Sequence, residues 1–228
     1  MNINKGKFDH LINNLERKSF KNSIFNYESG RRAFLSLRKG NIRDWFQTLL
    51  PNTRIILEPK IIGSSIGLQY IDGKLIKAIN KNSIDITASV MSLINIPKRL
   101  PIKNRIEIRG VLYDDENTSN ENHETEFIGI QNSDPHIKRF RFCAFQIFHC
   151  NINHFQSLQE LKNLNFEIPQ TEFSNYISDI EIYLQCWREG KLFTSYPTNG
   201  LVLKINSRKL QKYLGENNLS IPWAYAIN

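Results

Sequence analysis

The sequence is poor in the patterns that announce the commonest sites. It has three cysteines, Cys143, Cys150 and Cys186. They form no Cys-x-x-Cys pair and no even framework, which argues against a zinc module or a disulfide scaffold. His149 and His154 flank Cys150 at an apparent strand end. Those residue types could ligate a metal, but a strand end followed by a polar loop is the simpler reading. Neither Gly-x-Gly-x-x-Gly nor a Walker A loop occurs, so the usual phosphate-cradling loops cannot be invoked. No apolar run approaches the ~18–20 residues of a membrane span. The first residues, MNINKGKFDHLINNLERK, lack the apolar stretch of a signal peptide. A cytoplasmic protein is the default expectation. No internal repeat is visible.

What is present suits a globular chain. The 228 residues allow one large domain or two small ones, with 40% hydrophobic and 23% charged residues. The formal net charge of +8 favours anionic partners such as nucleic acid or nucleotide phosphates. The densest basic clusters are RRAFLSLRKG (31–40) and HIKRFRF (136–142). Either also fits an ordinary solvated face, and richness in Asn, Ile and Lys raises the charge without a functional reason.

Periodicity divides the chain into short elements. Residues 7–17 and 41–50 read as helices, the second opened by Asn41 as N-cap. Residues 54–58 read as a strand. In SIGLQYIDGKLIKAIN two alternating runs flank Asp72-Gly73, which predicts a tight hairpin. The stretch 84–95 has helical apolar spacing through Ile84, Ala88, Met91 and Leu93 or Ile94. NRIEIRGVLY, RFRFCAFQIF and GLVLKIN read as strands; FQSLQELKNLNF and residues 178–190 read as helices. SRKLQKYLG is a short helix opened by Ser207 and ended by Gly215. Residues 114–126 are polar and aperiodic, a loop or disordered insertion. This order predicts an α+β fold with antiparallel sheets flanked by helices, not a doubly wound one.

Several strands carry charge. Lys60 follows a proline in LEPKIIGSS, Glu107 and Arg109 share one face of IEIRG, and Lys204 lies within LVLKIN. A lysine in such a strand is usually at an edge or snorkelling. The alternative is that several strands gather lysines, a carboxylate and an arginine around one anionic ligand. Neighbouring cations and partial burial would then lower a lysine's pKa and raise its nucleophilic fraction. A second lysine could neutralise charge at phosphorus, and an aromatic ring could stack on a base.

These residues also carry a resemblance. LEPKIIGSSIGLQYIDGKLIKAIN, the IPKRLP that follows, IEIRG, FCAFQIF, NGLVLKINSRKLQKYLG and IPWAYAIN resemble, in order, the motifs of the adenylation domain of NAD-dependent DNA ligases. FLSLRKG resembles that family's Met-Leu-Ser-Leu segment. The match spans roughly residues 34–228, with 1–50 expected as a short helical extension and 51–228 as the adenylation domain. The resemblance implies a nucleotidyltransferase fold, related to ATP-grasp enzymes, in which Lys60 accepts AMP from NAD, or from ATP, with Mg²⁺ assisting. It implies that Lys204 stands near the α-phosphate and Phe145 stacks on the adenine. Ser36, Leu37 and Glu58 would line the nucleotide pocket, with Lys81 in place of an arginine and Arg109 on a motif strand. Nicked DNA would be engaged through another protein. This is the chemistry of DNA replication and repair.

The sequence departs from that pattern at Ile62, Val111, Asn199 and Asn228, where the family has Asp, Glu, Asp and Lys. Residues 80–83, NKNS, stand where the family has Thr-Arg-Gly-Asp-Gly. A ligase-derived protein that binds nucleotide or nucleic acid without chemistry is therefore the alternative reading.

Overall fold

Asp72 and Gly73 turn the chain with φ of 50° and 73°. That is the doubly left-handed geometry of a type I′ hairpin turn, which Asp-Gly favours. A Cβ on Gly73 would lie 2.2 Å from the Leu100 carbonyl oxygen, so only glycine fits there. The turn joins β3 (Ser64–Ile71) to β4 (Lys74–Asn80). With β5 (Ile106–Asp114) and β6 (Phe140–Ile147) these strands form a four-stranded antiparallel sheet in the order β4-β3-β5-β6.

A second sheet has five strands. β2 (Ile55–Ile61) and β8 (Thr198–Ile205) lie at its centre, flanked by β7 (Glu172–Ser174) and β9 (Ser220–Ile227). β1 (Ser36–Arg38) adds in parallel beyond β9, and every other pairing is antiparallel. The helices are α1 (Ile42–Gln47), α2 (Thr87–Met91), α3 (His154–Asn163), α4 (Ile177–Arg188) and α5 (Arg208–Leu214). The computed structural model describes residues 36–116, 138–148, 151–215 and 220–228. The expected helix 7–17, most of the polar stretch 114–126, and His149 with Cys150 lie outside them.

Each sheet buries one face. Ile66, Leu68, Ile108, Leu112 and Phe142 of the four-stranded sheet pack with Leu158 and Leu161 of α3. Ile55, Leu57, Leu201, Leu203 and Ile205 of the five-stranded sheet pack with Trp45, Ile180 and Trp223. Residues 36–50 take part in this second core. Trp45 is buried, its indole N–H donates to the Pro222 carbonyl at 3.0 Å, and its ring stacks on Tyr225 at 5.2 Å.

Helix starts follow the capping residues read from the sequence. The Asn41 side chain accepts from Arg43 N–H, and Ser207 accepts from Leu210 N–H. Gly215 ends α5 with φ 69°. The stretch 84–95 needs correction. Ile84, Met91 and Ile94 are exposed, while Ile86, Val90 and Leu93 are buried. The helix begins only at Thr87, because Ile84 and Asp85 still fold back along β4. Asn80 N–H donates to the Ile84 carbonyl, and Asn80 Oδ1 accepts from Ile84 N–H at 2.8 Å. That local strand return shifts the buried face.

Candidate active site

Strand alternation puts the charges of β2 and β8 on one face. Ile55 and Leu57, like Leu203 and Ile205, point into the core, so Glu58 and Lys204 point the other way, toward the four-stranded sheet. Glu58 is paired with Val202, two residues from Lys204 on β8, so the two side chains are diagonal neighbours. The Lys204 ammonium donates to Glu58 Oε2 at 2.6 Å and sits 4.7 Å from the centre of the Phe145 ring. Lys204 therefore neither snorkels nor lies on an edge. β8 is interior, the side chain is buried, and its charge is met by a carboxylate and an aromatic face.

The other oxygen of Glu58 is held by a residue the sequence reading considered only as a metal ligand. His154 Nε2 lies 2.5 Å from Glu58 Oε1, and both side chains are buried. The end of β8 sets this placement. His154 N–H donates to the Asn206 carbonyl at 2.9 Å, and Phe155 N–H donates to Asn206 Oδ1 at 3.0 Å. A histidine at a helix start carries no periodic signal, so nothing local marked it as a partner of Glu58. Burial alone would push the Glu58 carboxyl up, but Lys204 and His154 outweigh it and hold it at about 2. Burial and the Lys204 charge together hold the His154 imidazole below its usual value, against the pull of Glu58.

Two strand irregularities shape the rest. Arg109 pairs with Gln146 and Gly110 with Ala144, which leaves Phe145 as the extra residue of a bulge on β6. On β8 the register slips between the partners of Pro59 and Ile61, opposite Lys60. Gly200 stands in that slip with φ 141°. Lys60 is half-buried, and its ammonium donates to Asn228 Oδ1 at 2.8 Å. Burial, then the nearby Lys39 charge, lowers its pKa.

The remaining expected residues divide. Arg109 is buried, bonds Glu107 at 2.8 Å and lies 4.9 Å from the centre of the Phe148 ring. Leu37 packs at the edge of the core around Trp45, next to Ser36 on β1. Lys81 is exposed in the turn after β4. Ile62 is half-buried, and its N–H donates to the Pro197 carbonyl at 2.7 Å. Val111, half-buried on β5, is paired with Cys143.

The profile of the NAD-dependent DNA ligase adenylation domain matches residues 35–228. The chain belongs to this family. A DNA ligase from Prochlorococcus marinus (strain NATL2A) is 29% identical over 211 residues, which cover 76% of this chain and 31% of that ligase. A DNA ligase from Mycoplasma capricolum subsp. capricolum is 29% identical over 201 residues, 77% of this chain and 30% of the ligase. The chain thus spans about a third of the curated relatives it matches. A structure from the Lig E DNA ligases superposes with a TM-score of 0.56 at 16% identity, covering 87% of this chain and 69% of that one. Mycobacterial DNA ligase D, complexed with ATP and MES, gives 0.54 at 12% identity, covering 85% and 59%. These likenesses show the nucleotidyltransferase fold.

A lysine, a carboxylate and an aromatic ring meet where the sheets face each other, with Lys60 two residues beyond the carboxylate on β2. These groups do not form a protein cage for a metal. Among the described residues no group of three His, Cys, Asp or Glu side chains is assembled, and both oxygens of Glu58 are engaged. No helix among the described residues is long and apolar enough to cross a membrane.

Proposed function

We propose that this adenylation domain takes AMP from NAD onto Lys60, the first step of DNA ligation. The observation that carries the reading is the state of Lys60. It is half-buried on the strand that holds Glu58, near a second lysine, with its pKa lowered. The neutral amine attacks the α-phosphorus. A P–N bond forms, the P–O bond to nicotinamide mononucleotide breaks, and the amine loses its proton. Lys204 offsets the charge that builds on the phosphate, Phe145 stacks on the adenine, and Glu58 meets its edge. The resemblance adds Ser36 and Leu37 of β1 and Arg109 of β5 to the seat, and Lys81 would reach it only from the exposed turn. The superposition on an ATP-bound ligase leaves ATP as a second donor to test.

The packing of β1 and α1 supports a domain that starts near residue 35 rather than 51. As the relatives are DNA ligases, the AMP would pass to nicked DNA, with another protein or further domains holding the duplex, and a cytoplasmic setting suits that role. The test is intact mass after incubation with NAD or ATP and Mg²⁺, beside a Lys60→Ala control. A gain of one AMP that vanishes in the control is the expected result. No gain in protein that is folded assigns the chain to nucleotide or nucleic-acid binding without chemistry.

A further inference from the structure

The ammonium of Lys204 lies between Glu58, at 2.6 Å, and the ring of Phe145, at 4.7 Å. It therefore occupies the carboxylate oxygen and the ring face that a base would use. A nucleotide seated there has to displace it, and the incoming phosphate offers it a better partner. Displacement would leave the Glu58 carboxylate buried, held among the described residues by the His154 imidazole. A buried carboxylate without a counter-charge costs several kcal/mol.

We propose that His154 is the positioning residue of the nucleotide seat: it takes up a proton when the nucleotide draws Lys204 away, and so keeps Glu58 neutralised and oriented toward the base. The proposal rests on the reading of Glu58, Phe145 and Lys204 as the nucleotide seat. The groups facing His154 support it. Glu58 comes from β2, Lys204 from β8 and Arg208 from the start of α5. Cys143 of β6 lies within the same field of Glu58 and Lys204. Burial and the Lys204 charge are what now hold the imidazole below its ordinary value, and Glu58 is what raises it. Removing Lys204 while keeping Glu58 takes away the second of the causes that lower the imidazole and leaves the one that raises it, so its pKa rises in the complex. In the range where histidine titrates, the imidazole then holds more proton after binding than before it.

The test is calorimetric titration of the whole chain with NAD at pH 6.5, with EDTA present to prevent turnover. It is repeated in buffers of different ionisation enthalpy. NAD itself does not titrate near that pH. The expected result is uptake of roughly half a proton or more per NAD bound. Affinity should also rise as pH falls through the window, by up to about tenfold per pH unit. In His154→Gln, whose amide can still reach Glu58, the uptake should disappear while binding persists. Should that variant not fold, the histidine ring resonances of the unaltered chain, titrated with and without NAD, read the same shift. Binding heat that does not depend on the buffer overturns the proposal and leaves the nucleotide seat standing. Uptake that survives in His154→Gln puts the proton on Glu58 and also overturns it. No heat in any buffer overturns both the seat and the proton.

Discussion

At the scale of single residues, Glu58 concentrates the stability and the chemistry of the site. Its folded pKa of about 2 lies below its ordinary 4.5, so at acid pH the unfolded chain binds the extra proton. The stabilisation is complete above about pH 5 and is lost as pH falls toward 2. His154 acts in the same direction. Its folded pKa is lowered, so its contribution is kept above its ordinary value and lost below it. We therefore expect urea unfolding to show stability falling steeply from pH 5 to pH 3. Glu58→Gln should flatten that fall and cost ~3–5 kcal/mol at pH 7, because it leaves the Lys204 ammonium buried without a counter-charge. An unchanged acid limb in the variant would mean that Glu58 does not carry the pH dependence.

At the scale of elements, the slip in β8 opposite Lys60 links backbone to chemistry. Gly200 sits in the left-handed region, and a Cβ there would meet the Ile227 carbonyl at 2.1 Å and Asn228 Oδ1 at 2.9 Å. Gly200→Ala is expected to cost ~1–3 kcal/mol in urea unfolding. It should also slow AMP capture, because it pushes on the residue that accepts from Lys60. A variant as stable and as fast as the parent would show that the slip has no part in placing Lys60. This element marks where the sequence stopped being readable. The hairpin at Asp72-Gly73, the caps at Asn41 and Ser207, and the shared face of Glu107 and Arg109 are short-range features, and spacing alone finds them. The bulge at Phe145 and the slip at Gly200 depend on which strand lies opposite, and no window of one strand contains that. The interior position of Lys204 depends on β9 and β2 closing around β8. The His154–Glu58 pair joins residues 96 positions apart. The resemblance to a family brought Glu58, Lys60, Phe145 and Lys204 forward, but nothing in it pointed to His154.

At the scale of the whole molecule, each sheet has its own apolar core, and the faces that meet at the site do so through polar and aromatic groups. Lys204 against Phe145 and Tyr113 against Tyr196 are such contacts. A nucleotide that touches both sheets at these contacts becomes part of what joins them. The three tryptophans make this measurable. Trp45 and Trp223 lie in the core of the five-stranded sheet and Trp187 packs against it, so tryptophan fluorescence follows one sheet while far-ultraviolet circular dichroism follows both. NAD at about a hundred times its Kd should add ~2.7 kcal/mol, which for a chain of this size raises Tm by roughly 5–10 °C. A seat that spans Glu58 on one sheet and Phe145 on the other requires the two signals to move together and their transitions to coincide. A shift in circular dichroism without one in fluorescence would place the ligand on the four-stranded sheet alone, and Glu58 and Lys204 would then have no part in holding it.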